Sequence, residues 1–168
     1  MLFRSPSRSA QALGLLGWLL FVSVAAALGA LASRSAPVFY AELVRPTWAP
    51  PAWVFGPVWT TLYTLMGIAL YRMWMRARRA EADGGEAPSF ALFWTQLGLN
   101  TAWSLVFFGL RAPFGALATL VALLAAIVAT MRAFGRVDRA AALLLAPYAA
   151  WVTFAGFLNA SVWWLNRE

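Results

Sequence analysis

Enzyme and metal sites draw heavily on cysteine, histidine and paired carboxylates, and this chain of 168 residues has no Cys and no His. The missing thiols exclude disulfides, iron–sulfur clusters and a thiolate nucleophile. The missing imidazoles remove the commonest metal ligand, a common axial ligand of haem and the neutral-pH proton shuttle. Six acids remain, Glu42, Glu81, Asp83, Glu86, Asp138 and Glu168, and each lies in a polar break or at the terminus. No carboxylate pair is therefore offered for buried acid–base work. What the chain offers instead is amides and indoles. Gln96, Asn100, Trp103 and Phe107 fall within a sector of about 60° on a helix, and Gly98, Ala102, Leu105 and Gly109 take the opposite side. An amide in an apolar segment is expensive unless it turns inward, so the first face is predicted to look into the protein.

The elements that must position these groups follow from composition. Hydrophobic residues make up 62% of the chain and charged residues 11%, against about 25% charged in a soluble domain. The expected fold class is an all-α membrane protein, one domain over 1–168 with a bundle of five transmembrane helices. The five apolar runs cover about 10–32, 53–75, 90–110, 113–134 and 140–165, each near the ~20 residues that a span requires. Arg111 and Ala112 alone separate the third and fourth runs, which predicts a tight antiparallel hairpin. Gly135 suits the end of the fourth run and Asp138 an N-cap for the fifth. The polar segment 76–89, with Gly84 and Gly85, reads as a flexible loop. Arg4 and Arg8 before the first run and Ala30-Leu31-Ala32 after it resemble a signal peptide. The apolar core is too long for one, and Gly14, Gly17, Ala25 and Gly29 suit packing, so a retained helix is expected.

All 13 cations are Arg and flank the runs. They form no base-reading stripe, which sets nucleic acid aside. Arg4, Arg8, Arg72, Arg76, Arg78, Arg79, Arg132, Arg136 and Arg139 fall on one side, and Arg34, Arg45, Arg111 and Arg167 on the other. The positive-inside rule then places the N-terminus in the cytoplasm, with the bacterial inner membrane as the expected location.

The segment between the first two runs carries Pro37, Pro46, Pro50 and Pro51 together with Phe39, Tyr40 and Trp48. Prolines stiffen it without helix, and its aromatic content predicts a lid rather than a plain interfacial belt. In the second run Phe55, Trp59, Leu62, Tyr63 and Met66 share a face, and in the fifth Tyr148, Trp151, Ala155, Leu158 and Asn159 share another. Pro147 within the fifth run predicts a kink. The fourth run shows a ladder of Ala118, Ala122, Ala126 and Thr130, read as packing. Three aromatic and polar stripes together predict a cavity for a large, planar, mostly apolar ligand. The plainer alternative is a bundle core rich in Trp.

Three blocks of this sequence resemble the TspO/MBR family, the tryptophan-rich sensory proteins related to the mitochondrial translocator protein. They run from Trp48-Ala49-Pro50-Pro51-Ala52-Trp53 through Trp59 to Tyr63, from Gln96-Leu97-Gly98-Leu99-Asn100 through Trp103 to Gly109, and from Pro147-Tyr148 through Trp151, Ala155 and Leu158-Asn159 to Asn166. The resemblance implies a five-helix bundle, commonly a homodimer, that binds porphyrins and, in animal relatives, cholesterol and synthetic drugs. It places the ligand beneath the first loop, against Tyr40, Pro50, Trp59, Asn100, Trp103, Trp151, Ala155 and Leu158. It also matches Trp59 and Trp151 to two tryptophans linked to light-dependent breakdown of protoporphyrin IX. The animal sterol motif calls for a Tyr where Val162-Trp163-Trp164-Leu165-Asn166-Arg167 has Trp, which argues against cholesterol. A formal match at Leu65, Tyr71 and Arg76 rests on a weak pattern.

The site read from faces and resemblance together comprises Tyr40, Trp48, Pro50, Trp59, Tyr63, Gln96, Asn100, Trp103, Phe107, Tyr148, Trp151, Ala155 and Leu158. Its expected occupant is protoporphyrin IX, with no required cofactor and no metal, and its partners are the lipid bilayer and a second copy of the chain. Without His, free-base porphyrin fits better than iron haem. The expected function is a porphyrin receptor or sensor. Light-dependent degradation through Trp59 or Trp151 is one alternative, and passive tetrapyrrole transport is another, since no carboxylate lies in a span to couple ions.

Overall fold

The computed structural model describes residues 7–33, 36–82 and 90–167. Arg4 and Arg34 of the charge count, and Gly84 and Gly85 of the predicted loop, lie outside the described residues. All regular elements among the described residues are helical. The order is α1 (Arg8–Ala32), α2 (Ala36–Glu42), α3 (Phe55–Ala82), α4 (Ala91–Ser104), α5 (Pro113–Gly135), α6 (Arg139–Leu143) and α7 (Ala146–Leu165). A 3₁₀ turn at Ala52–Val54 leads into α3, and a π-helical segment at Leu105–Gly109 continues α4.

Four described helical stretches are long and apolar enough to cross a membrane: Ser9–Leu31, Ala52–Glu81, Pro113–Gly135 and Arg139–Leu165. The third apolar run folds differently from the others, as 14 α-helical residues followed by five π-helical ones. Its hairpin to α5 is as tight as the spacing demands. Arg111 turns the chain at φ 51, and Ala112 N–H donates to the Val106 carbonyl at 3.1 Å. The α4 and α5 helices then pack against each other, as do α5 and α7 and the pair α1 and α3.

Several expectations change in detail. The first loop is not free of helix, because Ala36–Glu42 form α2. Its Pro37 stands in the first turn, where a missing N–H removes no intrahelical bond. The second run is helical as far as Ala82 rather than 75, because arginine-rich Arg76–Arg79 continue the helix. Gly135 ends α5, as expected, without a left-handed backbone. In the fifth run Pro147 does more than kink the helix. It divides α6 from α7 and sits in the first turn of α7, where its ring meets no preceding carbonyl. The packing face of α5 is not the alanine ladder either. Of the ladder Thr130 is buried and Ala126 half-buried, but Ala118 and Ala122 are exposed, and the buried face is carried by Ala116, Leu120, Leu123, Ile127 and Phe134 with Thr130.

The bundle is solid at the arginine-rich end. Met66, Leu70 and Met73 of α3 meet Phe93, Leu123, Ile127, Phe134 and Leu145 there, all fully buried. Phe93 stacks on Phe134 with centroids 6.0 Å apart and planes 4° apart. Asp138 locks this end. Its carboxylate caps α6 by accepting from Ala140 and Ala141 N–H at 3.0 and 3.1 Å. It also accepts from Arg72 at 3.0 and 3.1 Å and from Arg76 at 3.3 Å. Burial pushes this carboxyl up, but the bonds from Arg72, Ala141 and Arg76 outweigh it and hold the group below its ordinary value.

Because the folded value lies below the unfolded one, Asp138 contributes stability above about pH 4 that is lost as pH falls through the folded value. The unfolding midpoint of the purified protein is therefore expected to drop below about pH 4. Asp138→Asn keeps a capping side chain, removes that acid dependence and lowers the midpoint at pH 7. Asp138→Ala lowers it further, by a cap worth about 1 kcal/mol. Equal midpoints for wild type and both variants between pH 3 and 7 would contradict the lock.

Candidate functional site

Toward the loop end, the filling of the bundle changes from large aliphatic side chains to rings and small residues, and the interior opens into a cavity of about 640 Å³. That volume lies in the range of small-molecule sites, about 300–1,000 Å³. Each wall comes from a separate helix. Phe55, Trp59 and Tyr63 project from α3 at helical spacing. Asn100 and Trp103 of α4 and Phe107 of the π segment form a second wall. Trp151, Ala155, Leu158 and Asn159 of α7 form a third, and Leu19, Val22, Ala26 and Gly29 of α1 a fourth. Tyr40 of α2 and Ala52 close the loop end.

The rings hold one another in place. Trp59 leans on Tyr63 at 5.8 Å and on Tyr148 at 6.3 Å between centroids. Phe55 meets Trp151 edge to face at 5.8 Å, and Trp103 stacks on Phe107 at 5.6 Å. Such pairs add about 0.5–1.5 kcal/mol each beyond the area they bury. Polar atoms are few and placed. Asn100 Nδ2 donates to Tyr63 Oη at 2.7 Å, which leaves Asn100 Oδ1 buried without a protein partner. Trp103 Nε1 donates to Asn159 Oδ1 at 3.3 Å, and Asn159 Nδ2 donates to the Pro113 carbonyl at 2.7 Å. Gly29 gives the α1 wall a small edge, where a Cβ would come to ordinary contact distance of Ser104 Oγ at 3.7 Å and Tyr63 Oη at 3.9 Å.

The loop is tied down over this space. Asn166 at the end of α7 clamps the Val44 peptide, accepting from its N–H at 3.0 Å and donating to its carbonyl at 2.9 Å. Tyr40 Oη donates to the Pro50 carbonyl at 3.1 Å. Arg111 pairs with Glu42 at 3.4 Å, and its guanidinium lies over the Phe39 ring.

Nine of the 13 residues named from the sequence line the cavity: Tyr40, Trp59, Tyr63, Asn100, Trp103, Phe107, Trp151, Ala155 and Leu158. Four do not. Pro50 stands behind the wall and serves through its carbonyl. Trp48 lies outside, half exposed, with its ring against Phe154. Gln96 and Tyr148 are fully buried beneath the cavity, and the Gln96 amide and Tyr148 Oη have no protein partner. Both share the inward face that periodicity identified but sit one turn too near the arginine-rich end. The sequence reading of faces left out the α1 wall, whose lining residues are too small and apolar to announce themselves. It also left out Thr60, Thr64 and Ser104. No cluster of acidic residues among the described ones could hold a metal.

The TspO/MBR family profile matches residues 17–165, a stretch that contains every wall of the cavity. The chain belongs to the TspO/MBR family. It is 43% identical over 137 residues to the tryptophan-rich protein TspO of Chlorobaculum tepidum, covering 79% of this chain and 82% of that one. To the tryptophan-rich sensory protein of Cereibacter sphaeroides it is 39% identical over 153 residues, covering 89% and 92%. To the translocator protein of Bos taurus it is 38% identical over 152 residues, covering 90% and 89%. With its apolar helices, membership in the TspO/MBR family makes the chain an integral membrane protein.

Within this site Asn159 joins three helices, so its removal strands the buried Trp103 Nε1 and the half-buried Pro113 carbonyl. Asn159→Ala is expected to lower stability by about 1 kcal/mol, read as a lower unfolding midpoint, and to shift the Trp emission through Trp103. An unchanged midpoint and spectrum would show that the Trp103–Asn159–Pro113 chain is not formed.

Proposed function

We propose that this protein is a membrane receptor or sensor that holds protoporphyrin IX, or a planar apolar molecule of similar size, in the aromatic cavity. One observation carries the reading. Trp59, Trp103 and Trp151 wall a space of about 640 Å³ into which an unpartnered acceptor, Asn100 Oδ1, is buried. Flat rings suit a flat ligand, and the pyrrole N–H groups or a protonated carboxyl of a free-base porphyrin can donate to the amide oxygen. The sensory name of the Cereibacter sphaeroides relative supports the same reading.

In this proposal 91–109 forms a fifth span beside the four apolar stretches, and the loop from α2 to Ala52 is the lid. The N-terminus and the arginine-rich end face the cytoplasm of a bacterial inner membrane. The exposed Gly98, Leu105 and Gly109 on α4 and the π segment offer a second copy a close approach for a homodimer.

Protoporphyrin IX titrated into the protein in lipid nanodiscs is expected to quench Trp emission at micromolar ligand. Ala155→Phe fills the cavity and weakens that binding at least ten-fold, while the variant retains the wild-type unfolding midpoint within a few degrees. Equal affinity in a folded Ala155→Phe protein would place the ligand elsewhere.

The position of Trp59 and Trp151 on one cavity also favours a second reading, in which an illuminated porphyrin takes one electron from an adjacent indole and dissolved dioxygen, as the oxidant, consumes the resulting radical and opens the macrocycle. Bound protoporphyrin should then lose its Soret band under light faster than free protoporphyrin, and Trp59→Phe with Trp151→Phe should abolish the difference. A rate untouched by the double substitution would leave binding alone.

A further inference from the structure

The cavity has two sides that a ligand could use, and they are built differently. At the loop end the chain is tied shut by the Asn166 clamp on Val44, the Tyr40 bond to Pro50 and the Arg111–Glu42 pair. On the flank between α1 and α3 no comparable bond between the described residues spans the gap.

These two helices are antiparallel, and their contacts fix the register. A Cβ on Gly67 would lie 2.7 Å from Leu19 Cδ2 and 3.4 Å from Leu19 Cα, and one on Gly14 would lie 2.8 Å from the Trp74 ring. The backbones therefore meet closely at the arginine-rich end. Continuing that register toward the loop sets Ser23 beside Thr64, Ala26 beside Thr60 and Ala30 beside Gly56. All six residues line the cavity. Five of them, all but the half-buried Ala26, are also exposed on the outer surface. A Cβ on Gly56 would meet nothing within 4 Å. The helices thus part from a tight base, and the gap between them is edged by small side chains only.

The chemistry of the edge matches its surroundings. Each hydroxyl is turned back on its own helix: Ser23 Oγ donates to the Leu19 carbonyl at 2.8 Å, Thr60 Oγ1 to Gly56 at 2.9 Å and Thr64 Oγ1 to Thr60 at 2.8 Å. The donors are spent internally, so the sill shows methyl and methylene groups to whatever passes. The neighbouring seam between α3 and α7 is the opposite case, plugged by Phe55 against Trp151 and Trp59 against Tyr148.

We infer that the gap between α1 and α3 is a lateral portal, through which an apolar planar molecule dissolved in the bilayer enters the cavity without passing the loop. This rests on the binding reading above and adds the source of the ligand: the lipid phase rather than water. Both edges lie within membrane-spanning stretches, where an open flank meets hydrocarbon. The route suits a molecule whose concentration in lipid far exceeds that in water.

The absence of native Cys allows a test that needs no porphyrin. Ala155→Cys places one thiol on the inner wall of the protein in nanodiscs, where two maleimides compete for it: an apolar one that partitions into lipid and a sulfonated one that stays in water. The apolar reagent is expected to label it at least ten-fold faster, after correction for partition. Adding Ala30→Phe and Thr60→Phe should slow that labelling at least ten-fold, and adding Asn166→Ala instead should leave it unchanged. Far-ultraviolet circular dichroism and the unfolding midpoint establish that each variant is folded, and Ser23→Leu with Thr64→Leu provides a second closure of the same edge. Comparable labelling by the sulfonated reagent, acceleration by Asn166→Ala, or indifference to both edge closures overturns the portal. Lipid-side labelling in a protein that shows no protoporphyrin quenching supports the portal and overturns the porphyrin reading.

Discussion

A hydrocarbon phase has no water to satisfy a stray donor, so a polar side chain within a span gains by finding a partner on another helix or turning back on its own, as most here do, the Gln96 amide and Tyr148 Oη excepted. Asn159 of α7 meets that demand twice, through the Trp103 indole of α4 and the Pro113 carbonyl that begins α5. Asn100 does the same between α4 and α3 through Tyr63. These two amides fix the azimuth of the helices around the hollow. The aromatic walls can then stand apart without collapsing, because each ring is braced by another, edge-on, tilted or stacked, rather than by a chain crossing the space.

The division of the bundle into a solid end and a hollow end follows from side-chain size. Met66, Leu70 and Met73 continue the stripe of α3 that carries Trp59 and Tyr63, yet they pack against Phe93, Ile127 and Phe134 and leave no room. Above them Ala155 on α7 and Gly29 on α1 withhold the volume that would fill the centre. The same economy shapes the flank, where close glycine contacts join α1 to α3 at one end and small residues hold nothing at the other. A tight base and an open top come from one register.

The face of the third run was legible because four buried positions, Gln96, Asn100, Trp103 and Phe107, repeat with helical period and leave Gly98, Leu105 and Gly109 outside. Legibility failed where two different structures satisfy one pattern. Pro147 fits either a kinked helix or two helices, and the structure takes the second, with a break at Leu144 and Leu145 that leaves Pro147 in a first turn. Trp48 and Pro50 belong to the same sequence block as the cavity walls, but the turn that Ala49 N–H makes with the Pro46 carbonyl leaves only the Pro50 backbone facing Tyr40. The α1 wall gave no signal, since Val22, Ala26 and Gly29 acquire meaning only from what stands opposite them.

By itself the sequence determined the membrane class, the apolar runs, the exclusion of thiol and imidazole chemistry and the inward side of the second, third and fifth runs. These are properties of composition and of the 3.6-residue period, which a single helix already possesses. Tertiary structure decided height and enclosure. Gln96 and Tyr148 lie on the correct faces and fall below the hollow, while Ser23 and Thr64 lie at its edge. Periodicity gives an angle around a helix axis, but how far along that axis a cavity begins depends on the volumes that neighbouring helices bring to the same level, and no one helix carries that information.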